Sequence, residues 1–360
     1  MVTEAHAEPV RARRHISEYL MPAIGLTLVA LVVVWLIVNL AQDPPRFLQV
    51  SQIGLSQGAM YALVALGYTL VYGILELINF AHGDVFMIGG MITATIVLQV
   101  FNMQENPAFG ILISAFIVSL VLSVAGCAGL NATVERLAYK PLRNAPRLAP
   151  LITAIGVSFI LENIAILWKG TRPVSLPVSE FAQGRGTELF TVGTCPDCAH
   201  ITSDRLFVVL VTVPVLLVLL WVVRYTRQGK AMRATAQDKD AAAMMGIDVD
   251  RTVSFTFLVA GALAGVGGTI FAFYASTIRY DTGFTLGLFA FTAAVLGGIG
   301  NLPGAVLGAV LIGLIQAWNE GLPWHTPGPA WTQSIVFSIL ILILVFRPQG
   351  LLGERTPEGS

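Results

Sequence analysis

Charge is what this chain has least of. Only 12% of its 360 residues are Asp, Glu, Lys or Arg, against about a quarter in soluble domains. The 21 basic and 21 acidic side chains cancel, so nothing argues for a nucleic-acid partner. Cysteine occurs three times, too seldom for a disulfide-built fold. No G-x-x-x-x-G-K-[ST] run is present: Gly229-Lys230 is followed by Ala231 and lacks the upstream glycine. The usual phosphate-binding loop is therefore missing from the chain. No H-x-x-x-H pair is present either, and no catalytic or metal-ligating residues are assigned.

What is there is apolar: 55% of the residues are hydrophobic. Runs such as Ala23–Leu40 and Leu206–Val223 approach or reach the roughly 18–20 residues that cross a bilayer as a helix. Apolar spans fall near 20–40, 48–72, 85–103, 108–130, 149–168, 206–223, 252–275, 285–299, 303–318 and 330–346. The fold class is an all-α, polytopic helical membrane bundle of eight to ten spans, with broken or re-entrant segments. Arg11, Arg13 and Arg14 precede the first run, but Asn39–Pro45 offers no A-x-A cleavage site, so that run reads as an uncleaved anchor.

Short cytoplasmic loops collect Lys and Arg. With the N-terminus inside, fifteen of the 21 fall in 1–19, 131–148, 224–251 and the tail, and six fall outside. This asymmetry predicts a cytoplasmic tail 1–19, a transmembrane domain 20–346 and a cytoplasmic tail 347–360. It places an external loop at 169–205 and a cytoplasmic loop at 224–251. The region 285–318 must then be a hairpin broken at Gly297–Gly304, so that Arg347 returns inside.

The external loop holds Cys195-Pro196-Asp197-Cys198. An outside location permits a Cys195–Cys198 disulfide; free thiols and zinc with His200 are the other readings. Zinc needs four ligands and a second C-x-x-C is missing. Cys127 lies in an apolar segment and reads as a packed thiol. In the cytoplasmic loop, Lys230–Met245 lacks Pro and Gly and is rich in Ala and Met, which predicts one helix. Gly246 stands where such a helix ends in a left-handed residue. The helix either lies on lipid or docks into a groove on a cytoplasmic partner.

Four stretches carry a resemblance. Asp240-Ala241-Ala242-Ala243-Met244-Met245-Gly246 resembles the coupling loop of ABC-importer permeases. Leu55–Gly90, Phe291–Gly308 and Leu344–Gly353 resemble the permease of the high-affinity branched-chain amino acid ABC importers. The resemblance covers roughly residues 48–353 and departs at 170–205 and in the first twenty residues. It implies a prokaryotic inner-membrane machine: a second permease chain, homologous or identical, two cytoplasmic ATPase subunits that bind the ATP, and an external solute-binding protein. Asp240, Ala241, Ala242 and Gly246 would seat in the ATPase. The cargo would be branched-chain or related amino acids, with urea or short amides as alternatives. The chain would be a transport subunit rather than an enzyme, and would bind no cofactor of its own.

Ionisable groups at a helix centre in a bilayer cost roughly 2.5–3.5 kcal/mol. Leu77–Gly90 nevertheless carries Asn79, His82 and Asp84 within six residues. That turn lacks the Lys and Arg of the other inside loops. It reads as a broken helix lining or gating the path; the alternatives are Asp84 as a helix cap, Asn79 as a turn former and His82 as a satisfied core histidine. Glu162 sits late in its span and is expected to face the bundle, paired to Asn163 or a hydroxyl, or to touch substrate. Tyr61, Tyr68 and Tyr72 share a helix face through packing or pore lining. Gly54/Gly58, Gly261/Gly265 and Gly304/Gly308 predict close helix packing. A stand-alone secondary transporter would need more intramembrane carboxylates than Glu162. A membrane enzyme would need more ligands than His82 and Asp84.

Overall fold

The structure is a computed structural model that describes residues 17–77, 79–103, 107–142, 145–146, 148–178, 188–192, 199–347 and 349–353. The helices are α1 (Ser17–Gln42), α2 (Pro44–Leu75), α3 (His82–Thr95), α4 (Phe109–Val134), α5 (Leu148–Lys169), α6 (Ser203–Tyr225), α7 (Arg227–Gln237), α8 (Lys239–Met244), α9 (Val249–Ala275), α10 (Thr282–Gly297), α11 (Leu302–Gly321) and α12 (Thr332–Phe346). π-helical turns extend α3 over Ile96–Val100 and α4 over Glu135–Tyr139. Among the described residues, eight helices are long and apolar enough to cross a membrane. The described part of α1 and the short α10 add two more apolar segments. The protein is a multi-pass membrane bundle.

Local chemistry marks the helix ends. Asp43 accepts from the Arg46 amide at 2.9 Å, and Pro44-Pro45 opens α2, where prolines lose no helical hydrogen bond. Asn301 accepts from the Gly304 amide at 2.9 Å and starts α11. Asp248 does the same for α9 through the Arg251 amide. The expected hairpin is present: Gly298 (φ 108°) and Gly300 (φ 94°) turn the chain between α10 and α11. The tail closes this turn. The Leu351 and Leu352 amides donate to the Leu296 and Gly297 carbonyls at 2.8 and 3.0 Å, and Asn301 Nδ2 donates to the Leu352 carbonyl at 2.8 Å. The tail thus satisfies carbonyls that the end of α10 leaves open.

The helices α2, α3 and α9 are buried over most of their length, while α5, α6 and α12 face outward over most of theirs. The inner helices meet backbone to backbone. A β-carbon on Gly58 would lie 2.7 Å from Val310 Cα on α11, and one on Gly265 would lie 2.6 Å from the Ser123 carbonyl oxygen on α4. In lipid, where apolar surface gains little by leaving its surroundings, such approach is what joins helices. Gly54-Leu55-Ser56-Gln57-Gly58 has the G-x-S-x-G spacing of a nucleophile turn, yet it lies inside α2. Ser56 Oγ donates back to the Gln52 carbonyl at 3.1 Å, and the glycines serve packing.

Two features differ from the sequence-based expectation. The all-α bundle carries small ribbons at one end: β1 (Val174–Ser175) pairs antiparallel with β4 (Thr277–Ile278), and β2 (Glu188–Val192) with β3 (Ala199–Thr202). The segment expected as one helix over 230–245 is two. Asp238 leaves helical geometry (φ −156°, ψ 114°), and its Oδ1 accepts from the Asp240 and Ala241 amides, both at 2.9 Å. A side chain that caps a new helix ends the old one. Cys195 and Cys198 lie outside the described residues.

Candidate functional site

The polar run after α2 folds back into the bundle. At Glu76 the chain turns left-handed (φ 56°), and α3 begins at His82 rather than at Asp84. The His82 imidazole occupies the space beside Gly67, where a β-carbon would fall 2.0 Å from Nε2. Gly67 stands eight residues before the end of α2, about 12 Å along the helix. So α3 starts well inside the bundle.

All three expected residues are buried: Asn79 is 1% exposed, His82 and Asp84 are 0% exposed. Asn79 Oδ1 accepts from the Tyr139 hydroxyl at 2.8 Å, which ties the break to the end of α4. His82 stacks edge-on against Tyr68, with ring centroids 5.1 Å apart. Among the described residues neither imidazole nitrogen has an aligned hydrogen bond; the Val64 carbonyl faces the ring without meeting that geometry. Asp84 is not the cap of α3. The capping position is Ala81, with no side-chain bond. Instead Asp84 Oδ2 accepts a short hydrogen bond from Ser158 Oγ on α5, and Oδ1 has no partner among the described residues. The positive end of the α3 dipole still favours the buried carboxylate electrostatically.

A second interrupted helix meets the first here. β-carbons on Gly283 would lie 2.6 Å from the Gly83 carbonyl oxygen and 2.8 Å from Asp84 Cα, so the first turn of α10 sits on the first turn of α3. Glu162, one turn beyond Ser158, is half-buried and interacts electrostatically with both Asp84 and Asp281. The expected Glu162–Asn163 pairing does not form, because Asn163 Nδ2 donates back to the Phe159 carbonyl at 2.7 Å. Of the tyrosines, Tyr61 donates to Gln316 Oε1 at 2.6 Å, Tyr68 holds His82, and Tyr72 is half-buried.

A row of polar residues on α4 and its π turn fixes the depth of α3. Ser119, Ser123, Cys127, Asn131 and Glu135 recur every four residues and are all 0% exposed. Ser123 Oγ lies 3.0 Å from the Gly89 carbonyl and 3.1 Å from that of Gly265. Cys127 Sγ donates to the Val85 carbonyl at 3.3 Å, Asn131 Nδ2 to the Phe257 carbonyl at 2.6 Å, and Ser254 to Glu135 Oε2 at 2.8 Å. The i, i+4 recurrence is readable in the chain as one face of a helix.

At the opposite end from the ribbons, α7 and α8 connect α6 to α9, with Met232 and Thr235 of α7 buried. Ala242 is 4% exposed, whereas Met244 and Met245 are 82% and 84% exposed. Gly246 takes φ +84°, the Gly246 amide donates to the Ala243 carbonyl and the Ile247 amide to that of Ala242. That pair of bonds is a glycine-terminated helix end. Asp240 is exposed and Ala241 half-buried.

Comparison with known proteins adds a family. The family described as "Branched-chain amino acid transport system / permease component" matches residues 51–345. The chain is 37% identical over 313 residues to the high-affinity branched-chain amino acid transport system permease protein LivH of Escherichia coli K12, covering 87% of this chain and 97% of that one. It is 36% identical to BraD of Pseudomonas aeruginosa, a protein of the same description, over 87% of this chain and 98% of that one. A more distant relative, the galactose/methyl galactoside import permease protein MglC of Haemophilus influenzae, is 26% identical over 84% of this chain and 88% of that one.

Proposed function

The chain belongs to the family of branched-chain amino acid transport permease components, and on that premise we propose that it is the membrane-spanning subunit of an ATP-driven importer of branched-chain or related amino acids. It works beside a second permease chain, identical or homologous, with two cytoplasmic ATPase subunits and an external solute-binding protein. ATP is bound and hydrolysed on the partners. The bundle lies in the inner membrane of a prokaryote with both termini in the cytoplasm, so that α7 and α8 face the ATPases and the ribbons face outward.

One observation carries this reading: the capped tip at Met244 and Met245. Two adjacent, flexible apolar side chains held almost fully exposed on a short rigid helix suit insertion into a groove. Asp238, Asp240, Ala241, Ala242 and Gly246 hold that tip in shape. Asn79, His82, Asp84 and Glu162 line or gate the path, at a place where two interrupted helices start inside the bundle. Interrupted helices at mid-depth are the usual setting of substrate sites in transporters.

The test replaces both methionines, Met244→Glu with Met245→Glu, in cells carrying the complete system. ATPase copurification and leucine uptake should each fall at least ten-fold while the permease stays in the membrane. Undiminished copurification would overturn the docking role. Labelled leucine, urea and galactose offered to the wild type decide the cargo, and uptake of urea or galactose in preference to leucine would overturn the amino-acid reading.

A further inference from the structure

A cavity of about 340 Å³ opens beside the β1–β4 ribbon, over the first turn of α10. Its size falls at the lower end of small-molecule sites, roughly 300–1,000 Å³, and suits a single small metabolite. Its lining combines the apolar Phe271 and Leu286, Thr285, Thr282, whose hydroxyl accepts from the Arg279 amide at 3.1 Å, the exposed Arg279 and the half-buried Asp281. The two charges form a bidentate pair, Nε to Oδ1 and a terminal nitrogen to Oδ2. Asp281 occupies the capping position of α10 yet gives its side chain to Arg279 rather than to the helix. The amides of that first turn are left without a side-chain cap. Next to the lining residue Thr282, Gly283 meets the buried Oδ1 of Asp84, which has no hydrogen-bond partner among the described residues, and Glu162 lies within electrostatic reach of both Asp84 and Asp281.

An ion pair is the electrostatic complement of a zwitterion. An α-amino acid entering between Arg279 and Asp281 exchanges one pair for two: its carboxylate meets the guanidinium as a fork, and its ammonium meets Asp281. No net charge is introduced, and breaking the resident pair offsets most of the gain, so the site holds its ligand weakly. Weak holding suits a place of transit. An aliphatic side chain then rests on Phe271 and Leu286. Urea, a short amide or a hexose lacks the separated charges that would open the pair.

We infer that this cavity is a low-affinity receiving site for a zwitterionic aliphatic amino acid, entered from the outer end and leading toward Glu162 and Asp84. The inference rests on the importer reading above and adds the residues that receive the cargo.

The experiment uses the complete transporter with its ATPases and binding protein in proteoliposomes. Asp281→Asn and Arg279→Gln should each lower leucine uptake at least ten-fold, while the affinity of the loaded binding protein for the complex changes less than two-fold. Thr285→Phe, which fills the cavity, should raise the ratio of alanine to leucine uptake at least five-fold. Equal losses of uptake and of binding-protein affinity would show that the charged pair docks the binding protein and would overturn the site. An unchanged alanine-to-leucine ratio would also overturn it. If the wild-type complex carries no amino acid, the importer reading fails and the site with it; normal wild-type leucine uptake with unaffected variants sinks the site alone.

Discussion

The imidazole of His82 stands where a methyl group on Gly67 would have to go. Gly67→Ala should therefore destabilise the protein by about 1–3 kcal/mol, the usual penalty of overpacking. In His82→Ala the ring is gone and the same methyl group fits. The double variant should melt higher in detergent than Gly67→Ala alone, a non-additive result expected only of touching residues. Additive melting shifts would show that the ring does not lie against α2. If His82 also gates the path, His82→Ala should assemble normally and transport less. Polarity at Asn79, His82 and Asp84 was legible in the chain because such groups are costly in lipid. Their partners were not: Asp84 reads locally as a cap, but the Ser158 hydroxyl, 74 residues away, captures it.

At the ends of helices, backbone groups left open need partners from elsewhere in the chain. The tail supplies them at the α10–α11 turn. Gly350 takes φ +74°, and a β-carbon there would fall 2.4 Å from the Gly298 nitrogen. Gly350→Val combines a left-handed strain with a backbone collision. It should lower stability by about 1–3 kcal/mol, read as a lower melting temperature and faster proteolysis of the tail; a variant as resistant as wild type would show that the tail does not clasp the turn. The helix end at Gly246 was legible in the chain because it acts within a few residues; the caps at Asp43 and Asn301 are equally local but emerge only in the structure. The break at Asp238 was overlooked because Ala- and Met-rich flanks outweigh one carboxylate in a propensity reading. The α4 row from Ser119 to Glu135 is a four-residue period present in the chain, obscured over its first half because Ser and Cys recur in an otherwise apolar run.

For the complete bundle, the arrangement of charged loops predicts which end faces which side. With Cys195 and Cys198 replaced by serine, Met245→Cys should react with a membrane-impermeant thiol reagent only in inverted vesicles, and Arg279→Cys only in intact spheroplasts. The opposite pattern would reverse the bundle. A range of eight to ten spans, the hairpin at Gly297–Gly304 and the membership of a permease family were legible in the linear chain. Hydropathy, capping and basic-residue counts act over a few neighbours or sum along a segment, so they need no folded partner. Tertiary packing alone set the depth at which α3 and α10 begin. Gly83 meets Gly283 across two hundred residues and joins the two helix starts, while the Ser158–Asp84 hydrogen bond brings α5 and Glu162 beside them. No local pattern specifies which distant glycines will touch, because close approach is a property of two surfaces together.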